Sequence, residues 1–203
     1  MNPAADWHAL LGPAELSPEA CLRFAAAMRE RKLTFGDRVH CPFLRPLLLT
    51  DEDEGRVRAA AETIAAAGER VVEAAMTSPS LLGELGMTDP EISLASIDPG
   101  YATSSTASRL DAFLLPDSLQ FAEYNAESPA GLGYTQRLAE LFEELPVMGR
   151  FRQDHDVRYH RTIDNMLAAL LASYADWGGR AHPPTIAIVD WREVPTWTEF
   201  EIL

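Results

Sequence analysis

Residues 109 to 127 limit the fold more than any other stretch of this chain. The apolar runs "RLDAFLLP" and "LQFAEYNAE" flank Asp117-Ser118, which is the pattern of a β-hairpin closed by a short turn. Successive strand residues point to opposite faces. Phe121, Glu123, Asn125 and Glu127 are therefore expected on one face of the second strand, with Ala122, Tyr124 and Ala126 on the other. Arg109, Asp111 and Phe113 share a face of the first strand by the same count. If the two faces coincide, Arg109 and Asp111 meet Glu123 and Asn125. A solvated sheet face with Arg–Asp pairing accounts for that pattern as well as a ligand site does.

Helices are expected around this hairpin. Ser17-Pro18-Glu19 is a helix-start signal, and Leu22, Phe24, Ala25 and Met28 follow at helical spacing. Residues 35–50 are punctuated by proline and fit loop or extended structure, and Thr50 with Asp51, Glu52 and Asp53 then caps a long alanine-rich helix to about Met76. Two short helices are expected near 79–85 and 89–97, with Gly and Pro at the joints. The chain thus divides into a helical N-terminal region over 1–100 and a segment over 101–150 holding the hairpin and the helix "YTQRLAELFEEL". A third part over 151–203 contains an amphipathic helix with Met166, Leu167, Leu170 and Leu171 on its core face, stopped by Gly178-Gly179. It ends in a buried strand over 185–189, a loop and a helix from about Thr196. A strand, loop and helix of this kind lead into parallel sheet. The expected class is α/β (α+β) ending in the start of a parallel-sheet domain, so the chain is expected to be the N-terminal part of a longer protein, whose uncovered end invites self-association.

Composition removes several function classes. The 203 residues carry 31 acidic against 17 basic side chains, a formal net charge of -14 that repels a phosphate backbone. No apolar run approaches the roughly 20 residues of a membrane span, and "MNPAADWHALLG" lacks the basic start and long apolar centre of a signal peptide. A cytoplasmic protein binding neither nucleic acid nor membrane is expected. Cys21 and Cys41 have no metal-site spacing and read as buried reduced thiols. The absence of a nucleophile–base motif argues against a hydrolase.

Asp111, Glu123 and Asn125 are hard oxygen donors suited to Mg²⁺, which completes its shell with water and nucleotide phosphates. Arg109 beside them suits a transferring phosphoryl group. Ser128, Gly131 and Gly133 lie in a glycine-containing loop that can turn backbone amides toward an anion just before a helix. Asp190, Arg192 and Glu193 fall at the carboxyl end of the expected parallel strand, where α/β sheets bind ligands. Arg192 suits a substrate carboxylate there, and local salt bridging accounts for the trio equally well.

Arg109-x-Asp111 followed by Glu123-x-Asn125 in "EYNAESP" resembles the magnesium-binding signature of the circularly permuted ATP-grasp ligases. Glutathionylspermidine synthetases come nearest, and eukaryotic-type glutathione synthetases carry a looser version. The match is specific over roughly 101–134. The resemblance implies that the hairpin belongs to an ATP-grasp sheet ahead of a pre-ATP-grasp domain. It implies Mg²⁺ held by Asp111, Glu123 and Asn125, phosphate and carboxylate contacted by Arg109, and ATP with a small-molecule or peptide substrate as partners. The implied reaction is ATP-dependent carboxylate–amine ligation through an acyl phosphate. Family members clamp the phosphates with lysines that come later in the chain, and here the only lysine is Lys32. The chain alone is therefore expected to be inactive. The alternative is a non-catalytic binding or assembly module that keeps the fold.

Overall fold

The computed structural model describes residues 2–126 and 129–203. Its elements in order are α1 (Pro3–Leu10), α2 (Pro18–Glu30), β1 (Thr34–Phe35), β2 (Arg38–Val39), α3 (Asp51–Met76), α4 (Pro79–Glu84), α5 (Asp89–Ala95), β3 (Arg109–Leu115), β4 (Ser118–Asn125), α6 (Leu132–Glu143), α7 (Pro146–Phe151), α8 (Thr162–Asp176) and α9 (Trp197–Ile202). The class is α+β: helices with two antiparallel hairpins, β1–β2 and β3–β4. No helix of the described residues is long and apolar enough to cross a membrane.

The helix starts follow local chemistry. Asn2, Ser17 and Ser78 each accept a backbone N–H of the first turn, and in each case proline follows the cap, where its missing N–H costs nothing. Thr88 and Glu91 form a reciprocal capping box on α5. Four acidic residues open α3, Asp51 to Glu54, at the positive end of its dipole.

The chain forms two compact units, each drawn from separate stretches, a division that the three-part reading of the sequence does not contain. One comprises Met1–Thr50, Ala130–Met166 and Thr185–Leu203, the other Asp51–Pro129 and Leu167–Pro184. The first unit has a true core: Trp7, Phe24, Met28 and Leu33 meet Tyr134, Leu141, Phe142, Val147, Met148 and Phe151. Trp7 turns its ring edge to Phe142 and Phe151, with centroids 6.3 and 5.4 Å away, and its indole N–H donates to the Leu44 carbonyl at 3.0 Å. In α2, Phe24 and Met28 are buried as their spacing predicts, whereas Leu22 is 71% exposed because it lies off that stripe.

The second unit is thinly buried, with Ala75 and Leu82 its only fully buried apolar residues among those described. Its hairpin rests on α3. Tyr124 lies so close to Gly68 that a Cβ there would come within 2.7 Å of the Tyr124 ring. Arg56 of α3 donates to the Pro116 carbonyl at the hairpin turn (3.3 Å), and Glu69 accepts the Ser104 N–H (3.1 Å) ahead of β3. The part of α8 in this unit adds a Ser173–Thr106 hydroxyl pair at 2.9 Å.

Two expectations for the C-terminal part are corrected. The run 185–189 belongs to no strand, so there is no start of a parallel sheet: among the described residues none offers it a ladder, and Ile186, Ile188 and Val189 stand exposed. Leu167 and Leu171 are also exposed and α8 buries no residue fully, so its apolar stripe is not a core face. The final helix forms where it is expected, as α9.

Candidate functional site

The hairpin brings together the four polar residues singled out from the sequence. β3 and β4 pair antiparallel with Arg109 opposite Asn125 and Asp111 opposite Glu123. Directly opposed residues share a face with Cβ atoms about 5 Å apart. The Arg109 Nε–H donates to Asp111 Oδ1 at 2.8 Å, with both side chains less than half exposed. The Asn125 carboxamide lies across this pair, and its neighbours assign its orientation: with the oxygen toward Arg109 Nη2 as acceptor and the nitrogen toward Glu123 Oε1 as donor, both contacts are 3.2 Å. The guanidinium thus sits among the oxygen donors and neutralises part of their charge.

A bulge changes the rest of the face. Asp111 pairs with Glu123 but Ala112 pairs with Phe121, leaving Ala122 as the extra residue of β4. Phe121 therefore joins Tyr124, Leu119, Leu110 and Leu114 on the half-buried apolar face. The continuous alternation expected from Phe121 to Glu127 is corrected at this point. Gln120, opposite Phe113, takes the place expected for Phe121 on the polar face. The turn falls on Pro116-Asp117, one residue earlier than expected, with Ser118 already paired to Leu115. Glu127 and Ser128 lie outside the described residues.

The glycine loop does hold an anion, but one that belongs to the protein. The Gly131 N–H donates to both Glu199 oxygens at 2.9 and 2.8 Å, and the Gly133 N–H donates to Oε1 at 2.7 Å. Glu199 is buried at 3% exposure, and a side chain at Gly133 would come within 3.2 Å of it. The carboxylate occupies the positive end of α6 and satisfies N–H groups that have no helical partner. Glu199 is not among the residues singled out from the sequence, and nothing local marks it, since the amides it binds lie 68 and 66 positions earlier. In this structure the Gly131 and Gly133 amides, expected to face a cofactor phosphate, donate to Glu199.

Beside this contact the Tyr134 hydroxyl bonds to Thr198 Oγ1 at 2.7 Å, and Thr198 donates to the Thr34 carbonyl, also at 2.7 Å. His40 lies against the Tyr134 ring, centroid to centroid 3.9 Å. Partial burial of the imidazole lowers its pKa below the ordinary histidine value, and the Glu199 charge offsets some of that. The folded chain therefore takes up this proton less readily than the unfolded chain. Stability from this group is complete above the unfolded value of about 6.5 and is lost as pH falls from there toward the lower folded pKa. Thermal melts on either side of that window are expected to show a smaller acid-side loss in His40→Phe than in the parent.

Asp190, Arg192 and Glu193 are exposed and follow a segment that is no strand, so their expected place at the end of a parallel sheet is corrected. Asp190 accepts the Trp191 N–H at 2.6 Å, whereas Arg192 and Glu193 make no hydrogen bond or ion pair with a described residue. Among the described residues no group of three His, Cys, Asp or Glu side chains is placed to hold a metal ion. The hairpin set, two carboxylates and an amide, is of a different composition. Comparison with protein-family models, with curated proteins and with solved structures finds no match to this chain.

Proposed function

We propose that the polar face of β3–β4 is a magnesium–phosphate grip, in which Asp111, Glu123 and Asn125 offer oxygens to Mg²⁺ carried by a nucleotide such as ATP. The observation that supports the reading is the cross-strand register seating Asp111 against Glu123 and Arg109 against Asn125. The donor chemistry fits: Mg²⁺ takes a few protein oxygens and fills the rest of its shell with water and phosphate. The bound metal would polarise a phosphoryl oxygen. Arg109 sets the order of binding. Its guanidinium already bridges Asp111 and Asn125, so a bare cation meets like charge, whereas a metal arriving on a phosphate brings negative charge for Arg109 to turn toward.

Beyond binding, the resemblance in residues 101–134 supports carboxylate–amine ligation as the activity. In it the terminal phosphoryl of ATP would pass to a substrate carboxylate oxygen with ADP leaving, and an amine would then displace phosphate from the acyl phosphate. A second reading is a binding or assembly module without catalysis. It is favoured by the chain's only lysine, Lys32, whose ammonium is ion-paired with Glu201 at 2.5 Å.

Calorimetric titration of Mg²⁺ alone, ATP alone and both together into the purified chain tests the grip. Binding is expected only with both present, weakened tenfold or more in Glu123→Ala and in Asn125→Ala, a loss of about 1.4 kcal/mol or greater. Arg109→Gln is expected to act in opposite directions, tightening Mg²⁺ alone and weakening the Mg²⁺–nucleotide pair. Nucleotide binding that is unchanged in all three variants would remove the hairpin from the function. Turnover of ATP with an added acid and amine would separate ligase from module.

A further inference from the structure

The first unit contains a cavity of about 520 Å³ that no part of the hairpin reading uses. That volume falls in the range of small-molecule sites. Its floor is the edge of the core, Phe24, Leu141 and Val147, and the small side chains Ala20 and Ala27 leave the space open along α2. Four charged residues also line it: Glu15, Arg23, Arg31 and Glu144.

Their charges do not cancel evenly. Glu15 is bound by Arg150 at 2.5 Å and by the Gly12 N–H at 3.0 Å, and the Arg150 contact holds its carboxyl below the usual range. Glu144 is bound by Arg31 at 2.6 Å. The Arg23 side chain makes no hydrogen bond or ion pair with any described residue. Arg23, itself exposed to solvent, is thus the one charged residue on this largely apolar lining without a side-chain partner among the described residues. In a chain of net charge -14 the long-range field repels anions, so a small, fully hydrated anion such as phosphate gains little here. A ligand must draw its affinity from apolar surface and use its charge only to meet Arg23.

We propose that this cavity binds an aliphatic monocarboxylate of medium chain length, its hydrocarbon lying along Ala20, Ala27, Leu141 and Val147 and its carboxylate paired with Arg23. Arginine matches a carboxylate through two parallel N–H donors. Apolar burial makes affinity climb with chain length, about fourfold for each methylene taken from water.

The test is calorimetric titration of the purified chain with hexanoate, octanoate and decanoate, and with 1-decanol as the uncharged analogue. Affinity is expected to rise along the series. Arg23→Gln is expected to weaken decanoate about tenfold and leave decanol unchanged. Ala27→Trp, which fills the cavity, is expected to abolish both. Since Ala27 also touches the core, Ala20→Trp serves as a second filling variant, and melting curves verify that each variant is folded. Absence of decanoate binding, binding that survives both filling variants, or equal weakening of decanoate and decanol by Arg23→Gln would each overturn the proposal.

Discussion

Trp7→Ala is expected to destabilise the chain by about 3–5 kcal/mol, the range for truncating a large buried aromatic side chain. Trp7 is fully buried and holds together elements far apart in sequence. Its ring edge packs on Phe142 of α6 and Phe151 of α7, and its N–H satisfies the Leu44 carbonyl in the loop after β2. Alanine removes the ring, opens a cavity between elements that cannot close it, and leaves the Leu44 carbonyl without its donor. Trp7→Phe separates these causes. It keeps most of the apolar volume but not the indole N–H, so its cost is expected to be roughly 1–3 kcal/mol, the penalty for an unsatisfied, partly buried acceptor plus a smaller void. Chemical denaturation followed by far-UV circular dichroism measures both. A loss below 1 kcal/mol in the alanine variant would mean that α1 is not part of the cooperative core.

The ease of reading this fold in its sequence varied with the length of each pattern. The 26 residues of α3 and the two strands of the hairpin carry enough repeats for periodicity to be decisive, and both appear where they are expected. α1 and α7 were not anticipated. With eight and six residues they show less than three turns of pattern, although Asn2-Pro3 and Pro146 do mark their starts. They nonetheless supply Trp7, Val147, Met148 and Phe151 to the core. The bulge had a visible sign: Leu119 and Phe121 are apolar at odd positions and Tyr124 at an even one, so one extra residue is needed to keep all three on the face that meets α3. The run 185–189 misled because a β-branched apolar stretch states only what a strand would bury, whereas a strand also needs a neighbour to pair with.

The candidate site divided along the same line. Arg109, Asp111, Glu123 and Asn125 could be grouped from sequence by strand identity, although the bulge is what seats them together: the turn at Pro116-Asp117 alone would set Asp111 opposite Ala122, and the extra residue brings Glu123 into that place. The glycine loop could not. Which anion its amides hold depends on Glu199, separated from Gly131 by 68 positions and brought there by tertiary packing.

Glu199→Ala is accordingly expected to be the most costly change outside the aromatic core, about 2–4 kcal/mol, since hydrogen bonds to a charged group are the stronger kind and their loss leaves buried donors unmet. Gly133 is itself buried, so its N–H cannot turn to bulk water. The effect is expected to spread through α9, because Thr198 beside Glu199 ties Tyr134 to Thr34. Glu199→Gln keeps an acceptor oxygen but not the charge at the helix dipole, so it is expected to recover roughly half of the loss. The informative control is chemical rescue. If the two amides and the helix terminus truly form a carboxylate cradle, acetate at high concentration should raise the melting temperature of Glu199→Ala more than that of the parent, whose cradle is filled. An equal effect of acetate on both would show that the cradle closes when its carboxylate is removed, and the cost of Glu199→Ala would then measure lost packing of α9 alone.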